Sequence, residues 1–248
     1  MQTADMDIGK AFTYVFNDPK WVQKVLIGAG LVFVAFLTSI IVVGIVLWII
    51  LLGYLVQLVR NVIANEQYPL PEWADWGNFL SEGAKALVVT IVIFLPALIL
   101  EIFNFVVGVA GSIASSSNSS SAGAGLGAVG LCLGCLTWLV SLACALGLPV
   151  AIGRYAATRN IAMTLRFNEL WATFRTNIGT YLIVWLLSLV TGFISGIGFI
   201  ACGIGLFFTV FYASLVNYHL YGQAYRKAQG TAPSYGQPQP GYPSGYPF

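Results

Sequence analysis

Three stretches of the chain carry almost no charge, and they limit what it can fold into. Lys24 and Arg60 are separated by 35 residues without a charge. Lys85 and Arg154 are separated by 68 with only Glu101, and Arg175 and Arg226 by 50 with none. All 11 lysines and arginines lie outside these stretches. A helix crosses the roughly 30 Å hydrocarbon layer of a bilayer with about 20 apolar residues. Only 8% of the 248 residues are charged, against about a quarter in a soluble domain. Composition therefore excludes an ordinary cytosolic enzyme, a disordered regulator and a nucleic-acid binder. The net charge of +2 carries no message.

Length then sets the number of crossings. The 68-residue stretch suits two, and the Ser/Gly/Ala/Asn run of residues 111–125 reads as the loop between them. The 50-residue stretch suits two, with a turn among Gly192, Gly196, Gly198, Gly203 and Gly205. As one helix the 35-residue stretch would be about 52 Å long, too long for one span. As two helices it turns near residues 38–44. Basic residues collect on the cytoplasmic side of a membrane. If each stretch is a hairpin, all basic clusters fall on that side. The pattern predicts an all-α integral membrane protein with six transmembrane helices in three hairpins, about residues 22–62, 84–153 and 177–225, and both termini cytoplasmic. Residues 1–227 form the membrane domain. No cleavable signal peptide is read at the N-terminus.

Each hairpin is preceded by an aromatic amphipathic segment. The first has Phe12 and Phe16, then Asp18 before Pro19 as a helix cap. The second has Trp73, Trp76 and Leu80; the third has Phe167, Leu170, Trp171 and Phe174. Such a stripe lies in the membrane interface, or packs on other segments of the protein. The hairpin exits also rhyme: Tyr54 with Arg60-Asn61, Arg154-Tyr155 with Arg159-Asn160, and Tyr221 with Tyr225-Arg226. The pattern is a threefold repeat of interfacial helix plus hairpin.

No P-loop, zinc-protease or nucleophile-elbow motif is present, and no catalytic, cofactor-binding or metal-binding residue is assigned. The chain is read as non-enzymatic. The polar positions inside the apolar stretches are Glu101, Asn104, Thr137, Ser141, Ser188, Thr191, Asn217 and His219. Glu101 lies about 24 Å along a helix from Lys85, near the outer boundary, where a carboxylate reaches water. His219 lies about 10 Å inside the cytoplasmic end and reads as a hydrogen-bonded packing residue. Cys132 and Cys135 match C-x-x-C but sit in an apolar span, where burial opposes thiolate formation. Small residues recur along the fourth span at Gly127, Gly130, Gly134, Thr137, Ser141 and Cys144, a spacing that lets helices approach closely. Gly130 with Gly134, and Gly192 with Gly196, are candidate contacts with a second copy or another membrane protein. Pro96 and Pro149 mark a hinge or a fixed kink. Residues 228–248, rich in Pro, Gly and Tyr, read as a disordered cytoplasmic tail. Asn118 begins a glycosylation sequon.

The segments DIGKAFTYVFNDPKWVQKVLIG and GYLVQLVRNVIANEQYPLPEWADWGNFLSEGAKALV resemble the prokaryotic multi-pass membrane family known as domain of unknown function 4013. The linked RN…PLPEW-x-DWG pattern carries the likeness. More distantly, FNELWATFRTNIGTYLIV is similar to helix-to-span entries in other bacterial membrane domains, including the membrane part of some glycerophosphodiesterases; the hydrolase domain is lacking. The resemblance implies a prokaryotic plasma membrane and supplies no active-site residues. The expected role is a membrane organising or assembly component working in the lipid bilayer; the rival is a transporter or lipid-handling protein, which needs a polar path at mid-membrane.

Overall fold

The computed structural model describes residues 6–116, 120–199 and 203–231. Every regular element among them is a helix: α1 (Ile8–Asn17), α2 (Trp21–Leu37), α3 (Val42–Ile63), α4 (Trp76–Ser116), α5 (Ser120–Thr158), α6 (Ile161–Thr164), α7 (Phe167–Thr176), α8 (Ile178–Ile197) and α9 (Ile204–Thr231).

Local chemistry sets the boundaries. The Asp7 carboxylate accepts the Lys10 N–H at 2.8 Å and opens α1. Pro19 disfavours helical backbone at Asp18, which is extended (φ −77°, ψ 127°) and ends α1. Asp18 does not open the next helix, as its place before Pro19 suggests. Its carboxylate instead takes the Lys20 N–H and the Lys24 ammonium, and α2 begins at Trp21. The 35-residue stretch is two helices, broken at residues 38–41. Helix α3 ends in a full Schellman motif: Asn65 adopts φ 59°, its N–H reaches Val62 O, and the Glu66 N–H reaches Asn61 O. Asparagine is one of the few residues that tolerate this left-handed position.

Three sequence expectations need correction. Residues 111–116 and 120–125, read as part of a loop, are helical. Helix α4 runs to Ser116 and α5 starts at Ser120, leaving residues 117–119 outside the described residues. The hydroxyls of Ser112, Ser115 and Ser116 return to carbonyls three or four residues back, so the run satisfies its polar groups inside a helix. Trp76 and Leu80 are not a separate interfacial helix; they form the start of α4, with Asp75 accepting the Asn78 N–H. The tail expectation begins too early, because α9 continues to Thr231; residues 232–248, like Asn118, lie outside the described residues.

The aromatic stripes divide their contacts. In α1, Tyr14 and Val15 are buried and Tyr14 Oη donates to Leu215 O, while Phe16 is exposed. In α7, Leu170 and Phe174 join the core and Phe167 and Trp171 face outward.

Helix α9 is central, packing on α1, α2, α3, α5 and α8. Two buried clusters hold the bundle. One joins Val56, Ala86, Ile152, Tyr155, Tyr181 and Leu220; the other joins Tyr14, Tyr54, Leu58, Phe79 and Phe211. The second extends along α2 to Ala35, close to the break at residues 38–41. Neither contains a residue of α4 beyond Ile93 or of α5 before Leu148. Four helices, α3, α4, α5 and α8, are long and apolar enough to cross a membrane, and α1 with α2, bent by 100° at their junction, makes a fifth candidate. Helix α9 is not among them, although the charge pattern counts it as a span. Asn217, His219 and four tyrosines dilute its apolar character, and the neighbouring helices enclose it.

Candidate functional site

The RN…PLPEW-x-DWG segment forms a clamp on the connection between α3 and α4. Three successive carbonyls are each held by a different side chain. Asn61 Nδ2 donates to Pro69 O at 2.9 Å, Lys24 Nζ to Leu70 O at 2.9 Å, and Tyr54 Oη to Pro71 O at 3.1 Å. Trp73 stacks on Tyr54 with ring centres 3.9 Å apart and donates Nε1–H to Lys24 O at 3.0 Å. Lys24 is buried and paired with Asp18 at 2.8 Å and with Glu72 at 3.2 Å. A buried ammonium is tolerated only where such acceptors surround it.

A second polar node ties α3, α4 and α5. Arg60 is buried and pairs with the buried Glu82 carboxylate. Its Nε donates to Ala156 O at 3.1 Å, Lys85 reaches the other Glu82 oxygen at 2.9 Å, and Tyr155 Oη donates to Glu82 at 3.2 Å. The charge map marks Arg60 and Lys85 only as boundary residues. That Arg60 would turn inward is signalled by one thing, an acid of opposite sign at Glu82 across a short linker.

The polar positions read from the sequence do not converge. Glu101 is exposed on α4. Asn104 lines a groove between α4 and α5, opposite Gly130 and Gly134. Thr137 is buried and donates to Leu133 O at 2.9 Å, and Ser141 is half-buried on the same helix. Asn217 accepts from Thr191 at 2.8 Å between α8 and α9. His219 is 2% exposed, stacks on Tyr14 at 4.1 Å between ring centres, and lies 3.2 Å from the Gln223 amide nitrogen. No cavity described here joins Glu101, Asn104, Asn217 and His219. Cys132 and Cys135 are exposed free thiols on α5. Among the described residues no group of three or more His, Cys, Asp or Glu is placed to hold a metal ion.

The small residues fall into two groups. Gly130 and Gly134 face Asn104 of their own hairpin, whereas Gly192 and Gly196 face open space. The tightest helix approach lies elsewhere. A Cβ at Gly53 would overlap the backbone of Phe79, and one at Gly83 the backbone of Ile49, so α3 and α4 cross in backbone contact. The groove between α4 and α5 encloses about 870 Å³, lined chiefly by glycines 108, 111, 127, 130 and 134 with Leu131 and Trp138.

This arrangement defines an all-helical protein with several helices apolar enough for a membrane. Residues 36–204 match the family described as "Protein of unknown function (DUF4013)", and the chain belongs to that family. No curated protein and no solved structure matches it.

Proposed function

We propose that this is a six-span protein of a prokaryotic plasma membrane whose α4–α5 hairpin assembles with another membrane protein. In this reading α2–α3, α4–α5 and α8–α9 are the three hairpins, their charged ends are cytoplasmic, and α1 and α7 lie at that interface. The basic-residue distribution supports the orientation. A thiol-labelling experiment tests it. With single cysteines in a cysteine-free chain, an impermeant reagent added to intact cells should label position 39 and spare position 67. Labelling at 67 would exclude the first hairpin.

The assembly role rests on one observation. Helices α4 and α5 each run for about 60 Å, twice the hydrocarbon thickness, and their distal parts lie outside both core clusters. Those parts present Phe105 at 72% exposure, Leu131 at 75% and Trp138 at 64%, beside the glycine-lined groove. Helices associate in lipid through close van der Waals packing at small residues, and the groove offers such a surface. The reading requires no chemistry of its own from the chain. A second reading, lipid handling, draws support from an apolar cavity of about 410 Å³ among Val32, Trp48, Leu52, Leu87 and Phe211.

Photocrosslinking separates the two. A photoreactive residue at Leu131, activated in native membranes, is expected to give a discrete protein adduct of higher mass. Adducts to lipid alone at position 131, together with lipid adducts at Trp48, would replace assembly by lipid handling.

A further inference from the structure

Charge at the ends of the helices is unevenly shared. Residues 1–85 hold seven acids and five basic residues, whereas residues 154–175, from the end of α5 through α7, hold four arginines and one acid. That acid, Glu169, pairs with both Arg154 and Arg166 and so fastens the first turn of α7 to the end of α5. Arg159 and Arg175 are exposed and pair with no acid among the described residues. Backbone preference gives no reason for an arginine at 159. The residue follows α5 at φ 54°, its N–H on Tyr155 O at 2.9 Å, in the left-handed region that favours glycine. A residue held there against local preference points to a task for its side chain. Apolar surface accompanies the charge. Exposed Phe167 and Trp171 lie one turn apart on α7, and exposed Ile178, Leu182 and Leu186 continue the same spacing into α8. Arg175 takes the place in that register between Trp171 and Ile178.

We propose that the flank formed by α6 and α7 selects anionic phospholipid, with Arg159 and Arg175 drawing the phosphates and Phe167 and Trp171 seated among the upper parts of the chains. The proposal rests on the interfacial placement of α7 in the reading above. A basic face beside an apolar aromatic stripe is what lets a surface helix distinguish anionic from zwitterionic lipid. Lipid, and not an acidic protein, is the occupant because the stripe runs in register into α8, which is long and apolar enough to cross a membrane. Guanidinium groups at such a boundary reach the phosphate level while their stems stay against apolar surface. Residues 1–85, with more acids than bases, offer no comparable attraction. The chain thus gathers anionic lipid on one side only.

The full chain is reconstituted in bilayer discs of equimolar phosphatidylglycerol and phosphatidylcholine, and retained lipid is counted by native mass spectrometry. Phosphatidylglycerol is expected to be retained at least about fivefold over phosphatidylcholine, the factor that one basic residue near an anionic surface supplies. Arg159→Gln/Arg175→Gln should bring the two lipids close to parity. Lys10→Gln/Lys20→Gln removes the same charge from exposed positions of the other side and should leave the preference intact. A local reading comes from lipids with brominated chains, which quench nearby tryptophan; the contribution of Trp171 is the difference between wild type and Trp171→Phe. Stronger quenching of Trp171 by the brominated phosphatidylglycerol upholds the proposal. Equal quenching by both lipids overturns the selectivity and leaves α7 in the interface, whereas quenching by neither takes α7 out of the interface and overturns both readings. Equal retention of the two lipids, or equal loss of preference in the two double variants, would also overturn the proposal. Binding of a polyglutamate peptide that Arg159→Gln/Arg175→Gln abolishes, without lipid preference, would assign the flank to an acidic protein instead.

Discussion

Glu82→Leu is expected to destabilise the helical bundle by about 3–5 kcal/mol, the range for removing one partner of a buried ion pair. The substitution leaves Arg60, 8% exposed, without the carboxylate it pairs with and, among the described residues, with only the Ala156 carbonyl as acceptor. It also strips Tyr155 Oη of its side-chain partner. The desolvation already incurred by the guanidinium is then uncompensated. Removing both charges is a different matter, since well-packed apolar residues replace a buried pair at little net cost. The double variant Arg60→Leu/Glu82→Leu should therefore recover more than half of the loss. Unfolding titrations in sodium dodecyl sulfate, run on the three variants, measure this directly. A Glu82→Leu chain as resistant as wild type would mean that the node among α3, α4 and α5 contributes nothing to the bundle.

Gly83→Val should be comparably damaging for a steric reason. A Cβ at position 83 meets the Ile49 carbonyl, and the reciprocal Gly53 faces the Phe79 backbone. Neither obstacle is a side chain that can rotate away, so α3 and α4 must separate. Overpacking of this kind typically costs about 1–3 kcal/mol, and backbone displacement puts it at the upper end. Gly192→Val is the internal control, because nothing lies within 4 Å of a Cβ there. The expected result is loss of the folded monomer for Gly83→Val and an unchanged monomer for Gly192→Val in the same unfolding assay. Equal losses at both positions would show that helix propensity, not interhelical contact, sets the response.

Charge and length made the helical architecture legible. The apolar stretch after Lys24 breaks at residues 38–41, where length and the single Gly44 put a turn. The last stretch divides between Ile197 and Ile204, within its run of glycines. The glycines that matter for helix approach were not legible. Gly53 has no small residue three or four positions away and Gly83 only Ala86, so periodicity gives little signal; the crossing of α3 and α4 makes them tight. The run at residues 111–125 misled in the opposite direction over its described parts, 111–116 and 120–125. Its composition is that of a loop, yet side-chain hydroxyls bond back along the helix, and Gly111 and Gly123 pack on Leu126 and Ser115 of the partner helix. Tertiary pairing overrides weak intrinsic propensity there. The RN…PLPEW-x-DWG pattern stood out as a motif, but its meaning needed Lys24 and Tyr54, which lie outside it and reach its carbonyls from α2 and from an earlier turn of α3.

The position of α9 has a consequence for how the chain is made. The helix at the centre of the bundle follows all the others in order of synthesis. Helix α1 is anchored to it by Tyr14 Oη on Leu215 O, by Tyr212 Oη on Phe12 O, and by Gln223 on Asp7 O. At the usual pace of translation, roughly 5–20 residues per second, an interval on the order of 10–40 s separates the emergence of these partners. Through that interval Tyr14 and the faces of α3, α5 and α8 that pack on α9 lack that part of their shared core. Contacts such as the α3–α4 crossing do not depend on α9, so what waits for the last helix is the part of the core that packs on it.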